Sequence, residues 1–147
     1  MGALTHSRIV LDSRLEETRR LRPWLEAILP EDELAAERGM IEMALVELVS
    51  NVIRHGFDDR AGAPIGLELE RTASEIRIAI HDGGKPMPPW ARALAQTALE
   101  FDPTDIEGLP SGGIGLAMAI AAMDGFDYQE YVSGNVTRIV KALGVGK

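Results

Sequence analysis

Glu47-Leu48-Val49-Ser50-Asn51-Val52-Ile53-Arg54-His55 carries two patterns at once. Its apolar residues, continued back through Ile41 and Leu45, recur at helical spacing. Glu31 to Phe57 therefore reads as one long helix with a core stripe of Ile41, Leu45, Leu48, Val49, Val52 and Ile53, stopped near Gly56. Its polar residues form a second stripe. Glu47 and Asn51 are four apart, and Arg54 and His55 follow within one further turn, so all four are expected to project to one side. A carboxylate, a carboxamide oxygen and cations on one stripe suit a metal-bound phosphate group. The amide oxygen of Asn51 can ligate Mg²⁺, Glu47 can orient or deprotonate a nucleophile, and Arg54 can balance phosphate charge. A solvated helix face with i,i+4 pairing gives the same pattern, and on this stripe alone it is the default reading.

On the N-terminal side, Ser7 to Leu11 reads as a short strand, and Asp12 and Ser13 can cap a following helix that runs to about Leu29. Leu15, Leu21, Leu25 and Ile28 would share its apolar face while Glu16, Glu17, Arg19 and Arg20 look outward. Pro23 is a candidate kink and Pro30 a stop. On the C-terminal side the period changes to two. Ile65, Leu67 and Leu69, then Ile76, Ile78 and Ile80, alternate around Ala73 and Ser74, which predicts a β-hairpin over Ile65 to Thr72 and Glu75 to His81.

From Asp82 to Gly113 the chain is rich in Gly and Pro, with one helix expected from Pro89 to Glu100. Such a stretch suits a lid or binding loop, placed at about residues 83–112. Gly113 to Met123 reads as an apolar helix. Phe126 to Val132 and Val136 to Leu143 read as two final strands joined through Ser133, Gly134 and Asn135. The sum is a two-layer α/β (α+β) sandwich with helices on one sheet face, all 147 residues forming one domain.

Fifteen basic against 23 acidic residues give a net charge of −8, which argues against a protein built to neutralise nucleic-acid phosphates. There is no cysteine, so disulfides and thiolate metal sites are excluded and a cytoplasmic setting is expected. No apolar run approaches the roughly 18–20 residues of a membrane span, so no membrane partner is expected. His6, His55 and His81 lie on three elements without paired metal spacing, which speaks against zinc. Arg19, Arg20 and Arg22 read as a solvated helix face. Met40, Met43, Met118 and Met123 read as core filler. Trp24 and Trp90 are open to either packing or partner contact.

Two more features bear on chemistry. Asp82-Gly83-Gly84 directly follows a strand with core Ile76, Ile78 and Ile80. A carboxylate there can accept a hydrogen bond from an exocyclic amino group such as that of adenine, and Gly84 would let a flat ring approach the backbone. Alone, Asp-Gly is an ordinary turn signal. Ser111-Gly112-Gly113-Ile114-Gly115-Leu116 runs straight into an apolar helix. Exposed N–H groups and the partial positive charge of a helix start suit a triphosphate, although a hinge with tight helix packing would use the same glycines. The cluster lacks the Lys-Ser/Thr ending of a Walker A loop, and it does not follow the first strand as a Rossmann fingerprint does.

In order and setting, E-x-x-x-N with a following basic residue, D-x-G after a strand, and a G-G-x-G-L helix start resemble the N box and two glycine boxes of the GHKL (Bergerat-fold) superfamily. The tail from Ser133 to Lys141, and Met123-Asp124 before it, are similar to the RsbW and SpoIIAB anti-sigma serine kinases. The resemblance covers about Ile41 to Leu143. It implies a mixed, mainly antiparallel sheet covered by helices on one face, binding Mg-ATP. It also implies Glu47 as catalytic base, Asn51 as Mg²⁺ ligand, and Arg54 and His55 near the phosphates. Asp82 with Gly84 would read adenine, and Gly112, Gly113, Ile114, Gly115 and Leu116 would form the phosphate loop. The implied activity is phosphorylation of a STAS-type anti-sigma antagonist, with a sigma factor or similar regulator as second partner and a homodimer as the assembly.

Two departures stand out. Lys-Pro-Met-Pro-Pro follows Gly84 without a further glycine, which bears on lid closure. Asn135 stands where many relatives have Thr, which leaves Thr137 as the nearest hydroxyl for a secondary adenine contact. The rival from another class is a nucleotide-gated module that sequesters a partner without phosphoryl transfer, and Glu47 favours the enzyme. A detached histidine kinase catalytic domain is the third reading, disfavoured because no phosphoacceptor helix precedes it and the chain is expected to be complete.

Overall fold

The structure, a computed structural model, describes residues 5–97 and 113–144. Five strands, β1 (Thr5–Asp12), β2 (Pro64–Arg71), β3 (Glu75–Asp82), β4 (Gly125–Tyr131) and β5 (Gly134–Ala142), form one sheet in the order β1-β2-β3-β5-β4. Among the described residues four α-helices, α1 (Leu21–Ile28), α2 (Ala35–Asn51), α3 (Pro89–Thr97) and α4 (Gly113–Ala121), accompany it. Among the described residues every strand pairing is antiparallel, so the expected mainly antiparallel sheet carries no parallel pair there. Two hairpins, β2–β3 and β4–β5, supply the centre and one edge. The excursion through α3 and α4 then returns the chain so that β5 lies antiparallel to β3.

Period-two alternation decides which sheet face is covered. Ile65, Leu67 and Leu69 of β2 and Ile76, Ile78 and Ile80 of β3 are buried with Leu21, Leu25, Ile41, Leu45, Leu48 and Val49 of α1 and α2 and Leu116 and Ile120 of α4. Each such side chain contributes about 1.5–3 kcal/mol by leaving water. The opposite face carries Arg8, Glu68, Arg77, His81 and Arg138, all exposed. No helix among the described residues is long and apolar enough to cross a membrane.

The N-terminal segment differs from expectation in an instructive way. Asp12 and Ser13 do not cap the next helix. Asp12 accepts from the Gly62 N–H, while the buried Ser13 hydroxyl donates to the Arg60 carbonyl at 2.6 Å and accepts from the Ala63 N–H. These bonds fasten the loop after α2 to the end of β1. A 3₁₀ turn, Leu15–Arg20, precedes α1, so Pro23 falls in the first turn of α1, where its missing N–H is not needed, and makes no kink. Leu15 is exposed, unlike the buried Leu21 and Leu25.

The methionines also correct the sequence reading. Only Met123 of the four is buried, whereas Met40, Met43 and Met118 are 39–48% exposed on α2 and α4. Trp24 is a packing residue whose indole N–H donates to the Ser7 hydroxyl at 2.9 Å.

Candidate functional site

The long helix expected over Glu31 to Phe57 is divided. A short 3₁₀ turn, Asp32–Leu34, opens it, α2 proper ends at Asn51, and Val52–Gly56 widens into a π turn closed by the Phe57 N–H donating to the Val52 carbonyl. A π turn changes the direction of the side chains it carries and recurs at functional sites. The four residues of the polar stripe do not stay together, for Asn51 and His55 line one cleft and Glu47 and Arg54 do not. His55 turns toward a cleft and meets Trp90 edge to face, ring centroids 6.1 Å apart, whereas Arg54 is exposed and does not line that cleft.

The cleft is walled by Leu48, Asn51, Val52 and His55 of α2 and its π turn, by Met87 and Ala91 of the following loop and α3, and by Tyr128 and Thr137 of β4 and β5. Asp82 enters from the end of β3. The mostly apolar lining with a few convergent polar groups is the usual composition of a small-molecule site.

Asp82 is 8% exposed, and burial pushes its carboxyl above the ordinary range against the hydrogen bonds from Asn135 and the Gly84 N–H. Both bonds end on Oδ1, at 3.0 and 2.9 Å. No hydrogen bond from a described residue ends on Oδ2, so that oxygen of a residue lining the cleft is left able to accept from a ligand. Thr137 pairs with Ile80, two residues before Asp82, and is 2% exposed on the same sheet face.

Asn51 shows a similar unfilled demand. Among the described residues its carboxamide nitrogen is the buried side-chain polar atom without a hydrogen-bond partner. A buried orphan of this kind costs about 1–3 kcal/mol and calls for an explanation such as a ligand or an ion. Among the described residues no group of three or more His, Cys, Asp or Glu could cage a metal ion. The unpartnered atom is a donor and so fits an acceptor such as a phosphate oxygen, while the amide oxygen of Asn51 is the group that could contact a Mg²⁺ ion completed by ligand phosphates and water.

Glu47, one turn before Asn51, lies outside the cleft and against α4. A Cβ on Gly115 would stand 2.8 Å from both carboxylate oxygens of Glu47, so only glycine leaves room for that carboxylate here. Gly113 and Gly115 occupy the first turn of α4, whose N–H groups point away from the helix and carry partial positive charge. Ile114 is 40% exposed and Leu116 is buried in the core, so those two offer a ligand backbone rather than side chain. Gly112, with Ser111 and the second half of the expected lid, lies outside the described residues.

Gly84 also permits a close backbone crossing. A Cβ there would stand 2.8 Å from the Gly56 carbonyl oxygen, and the next residue, Lys85, donates its N–H to that same oxygen at 2.9 Å. The glycine lets the chain after β3 cross the end of the π turn and satisfy its terminal carbonyl. An ion pair of Lys85 with Asp58 at 2.8 Å fastens the crossing on the solvent side. The crossing also holds Met87, whose N–H donates to the Tyr128 hydroxyl at 2.7 Å. Tyr128 in turn lies under the Arg92 guanidinium of α3, 5.3 Å from the ring centre, and Arg92 pairs with Glu130. Sequence reasoning missed Met87 and Tyr128. The alternation of Phe126 and Tyr128 in a strand already expected was the signal that could have placed the tyrosine on the helix-covered face.

Comparison with known proteins agrees with the fold. A histidine kinase domain from the Erythrobacter litoralis EL346 blue-light activated histidine kinase has the same fold, with a TM-score of 0.50 and 16% sequence identity. The similarity covers 88% of this chain and 60% of that chain, so this chain spans less than two thirds of it. No curated protein sequence matches. Residues 11–141, which include every described element of the cleft, match the histidine kinase-like ATPase domain, and the chain belongs to that family.

Proposed function

We propose that this ATPase-type domain binds Mg-ATP and transfers the γ-phosphoryl group to a serine of a partner protein. The partner is a STAS-type anti-sigma antagonist, and a sigma factor or similar regulator is the second ligand. The observation that carries the reading is the placement of Glu47, a carboxylate held one turn from Asn51 against the glycine start of α4. Asp82 and Thr137 would hold the adenine, His55 and Trp90 the outer rim, and Asn51 the metal oxygen contact. The first-turn N–H groups of α4 would take phosphate oxygens. When bound, Mg²⁺ neutralises phosphate charge. Glu47 would accept the serine hydroxyl proton as that oxygen bonds to the γ-phosphorus and the bond to the bridging oxygen of ADP breaks. Arg54, exposed on the π turn, is assigned to the incoming partner side rather than to the cleft.

The direct test is incubation with Mg-ATP and STAS-type proteins encoded near its gene, read by mass for phosphoserine. Phosphate on a partner serine supports the kinase. Tight binding of both ATP and partner without transfer establishes the nucleotide-gated sequestering module instead.

Gly115→Ala gives a more local check. The three atoms nearest to the added methyl all belong to the Glu47 carboxyl group, the far end of a flexible side chain, so the fold should persist. Displacing the carboxylate should nevertheless slow transfer by about 10-fold or more, since misplacement of about 1 Å can cost 10²-fold. Wild-type transfer rates in this variant would detach Glu47 from the chemistry.

A further inference from the structure

We infer that Asn135 is the positioning residue that fixes which nucleobase this site accepts, by tying one oxygen of Asp82 and leaving the other able to accept from a ligand. The inference rests on the reading of the cleft as an adenine site. Asn135 and Asp82 are directly opposed across β5 and β3, 53 positions apart in the chain, and both are at least nine-tenths buried. The Asn135 amide nitrogen donates to Asp82 Oδ1 and to the Gly84 carbonyl, each at 3.0 Å. Both partners are acceptors, so the NH₂ end of the amide is the only one that fits, and its orientation is fixed. Gly134 holds the residue in place. It sits at φ +148° after the β4–β5 turn, and a Cβ there would come 2.2 Å from the Asp82 carbonyl oxygen.

Two consequences follow for a base in the cleft. With Oδ1 committed to two N–H donors, Oδ2 is left as an acceptor, which matches an amino group and opposes a carbonyl. The donors also favour the ionised carboxylate, which burial alone would discourage. A protonated Asp82 would offer an O–H and could pair with a carbonyl-bearing base. The charged and titratable groups around Asp82 are His81 beside it in β3, Lys85 in the loop, His55 on the π turn and Tyr128 on β4, and none of these donates to its carboxylate. A one-donor residue such as threonine cannot hold Oδ1 and the Gly84 carbonyl together.

The test compares wild type, Asn135→Thr and Asn135→Leu for affinity toward Mg-ATP and Mg-inosine triphosphate, which carries a carbonyl in place of the amino group, between pH 5 and 8. The preference of wild type for ATP should fall by about 10-fold or more in Asn135→Leu, with an intermediate loss in Asn135→Thr, as expected for losing a hydrogen bond to a charged group. ATP affinity weakens as Asp82 takes up a proton, so its decline on acidification should begin at higher pH in the variants. An unchanged ATP preference and pH profile in folded Asn135→Thr overturns the assignment, whether or not Asn135→Leu folds. Equal losses for both nucleotides make the residue structural only and overturn it as well. If wild type binds neither nucleotide, the adenine site itself fails and this role falls with it.

Discussion

Glu47→Gln is expected to leave Mg-ATP affinity nearly unchanged while slowing phosphoryl transfer to serine by about 10²- to 10⁴-fold, the range general base catalysis contributes. Glutamine keeps the length and one acceptor oxygen against Gly115, so packing with α4 should persist, but its amide cannot take a proton from the serine hydroxyl. Phosphoryl transfer also depends on positioning and metal charge, so some residual rate is consistent with the role. The measurement is a pair, nucleotide affinity by calorimetry and single-turnover phosphorylation of the partner. Transfer at the wild-type rate would show that Glu47 is not the base, even if the kinase stands. Transfer in neither protein, with both ATP and partner bound, would leave only the sequestering function.

The second large effect is at Asp82. Wild type should prefer ATP over GTP by up to the order of 10⁴-fold, because a buried acceptor facing the guanine carbonyl is left unpaired. Asp82→Asn should remove at least about 10²-fold of that preference, and the structure says why. The Gly84 N–H and Asn135 amide both require an acceptor, so the new carboxamide must turn its oxygen toward them. Its NH₂ is then the group left for a ligand, and it opposes the adenine amino group and suits a carbonyl. Equal binding of ATP and GTP by wild type would refute the role outright. Retention of full ATP preference in Asp82→Asn would show that the base is read elsewhere.

The two regular periods made most of the fold legible. The core stripe from Ile41 to Ile53 and the alternation of β2 and β3 are strong because burial enforces them along whole elements. The π turn was not legible, since widening one turn changes no hydrophobic period. It is completed by a tertiary bond from Lys85 to the Gly56 carbonyl. Arg54 and His55, which as neighbours would point about 100° apart even on a regular helix, have different surroundings, since His55 lines the cleft and Arg54 does not. At Gly84 the sequence marks a close approach without saying what approaches, and the structure places the Gly56 carbonyl there.

Asn135 looked like the loss of a base contact. Only the register of β3 against β5 reveals it as a partner of Asp82. The exposed Met40, Met43 and Met118 show the converse limit, in that apolar residues on a helix need not face the core.

Titration of the isotope-labelled protein with Mg-ATP, followed through its backbone amide signals, tests the placement of the nucleotide most directly. The expected result is saturable shifts at Asn51, His55, Asp82, Gly84, Thr137 and the Gly113 to Leu116 turn, with little change at Arg8, Glu68 and Arg77 on the opposite sheet face. Absence of shifts at saturating ATP, or shifts centred on that opposite face, would contradict a nucleotide site between α2, β3 and α4.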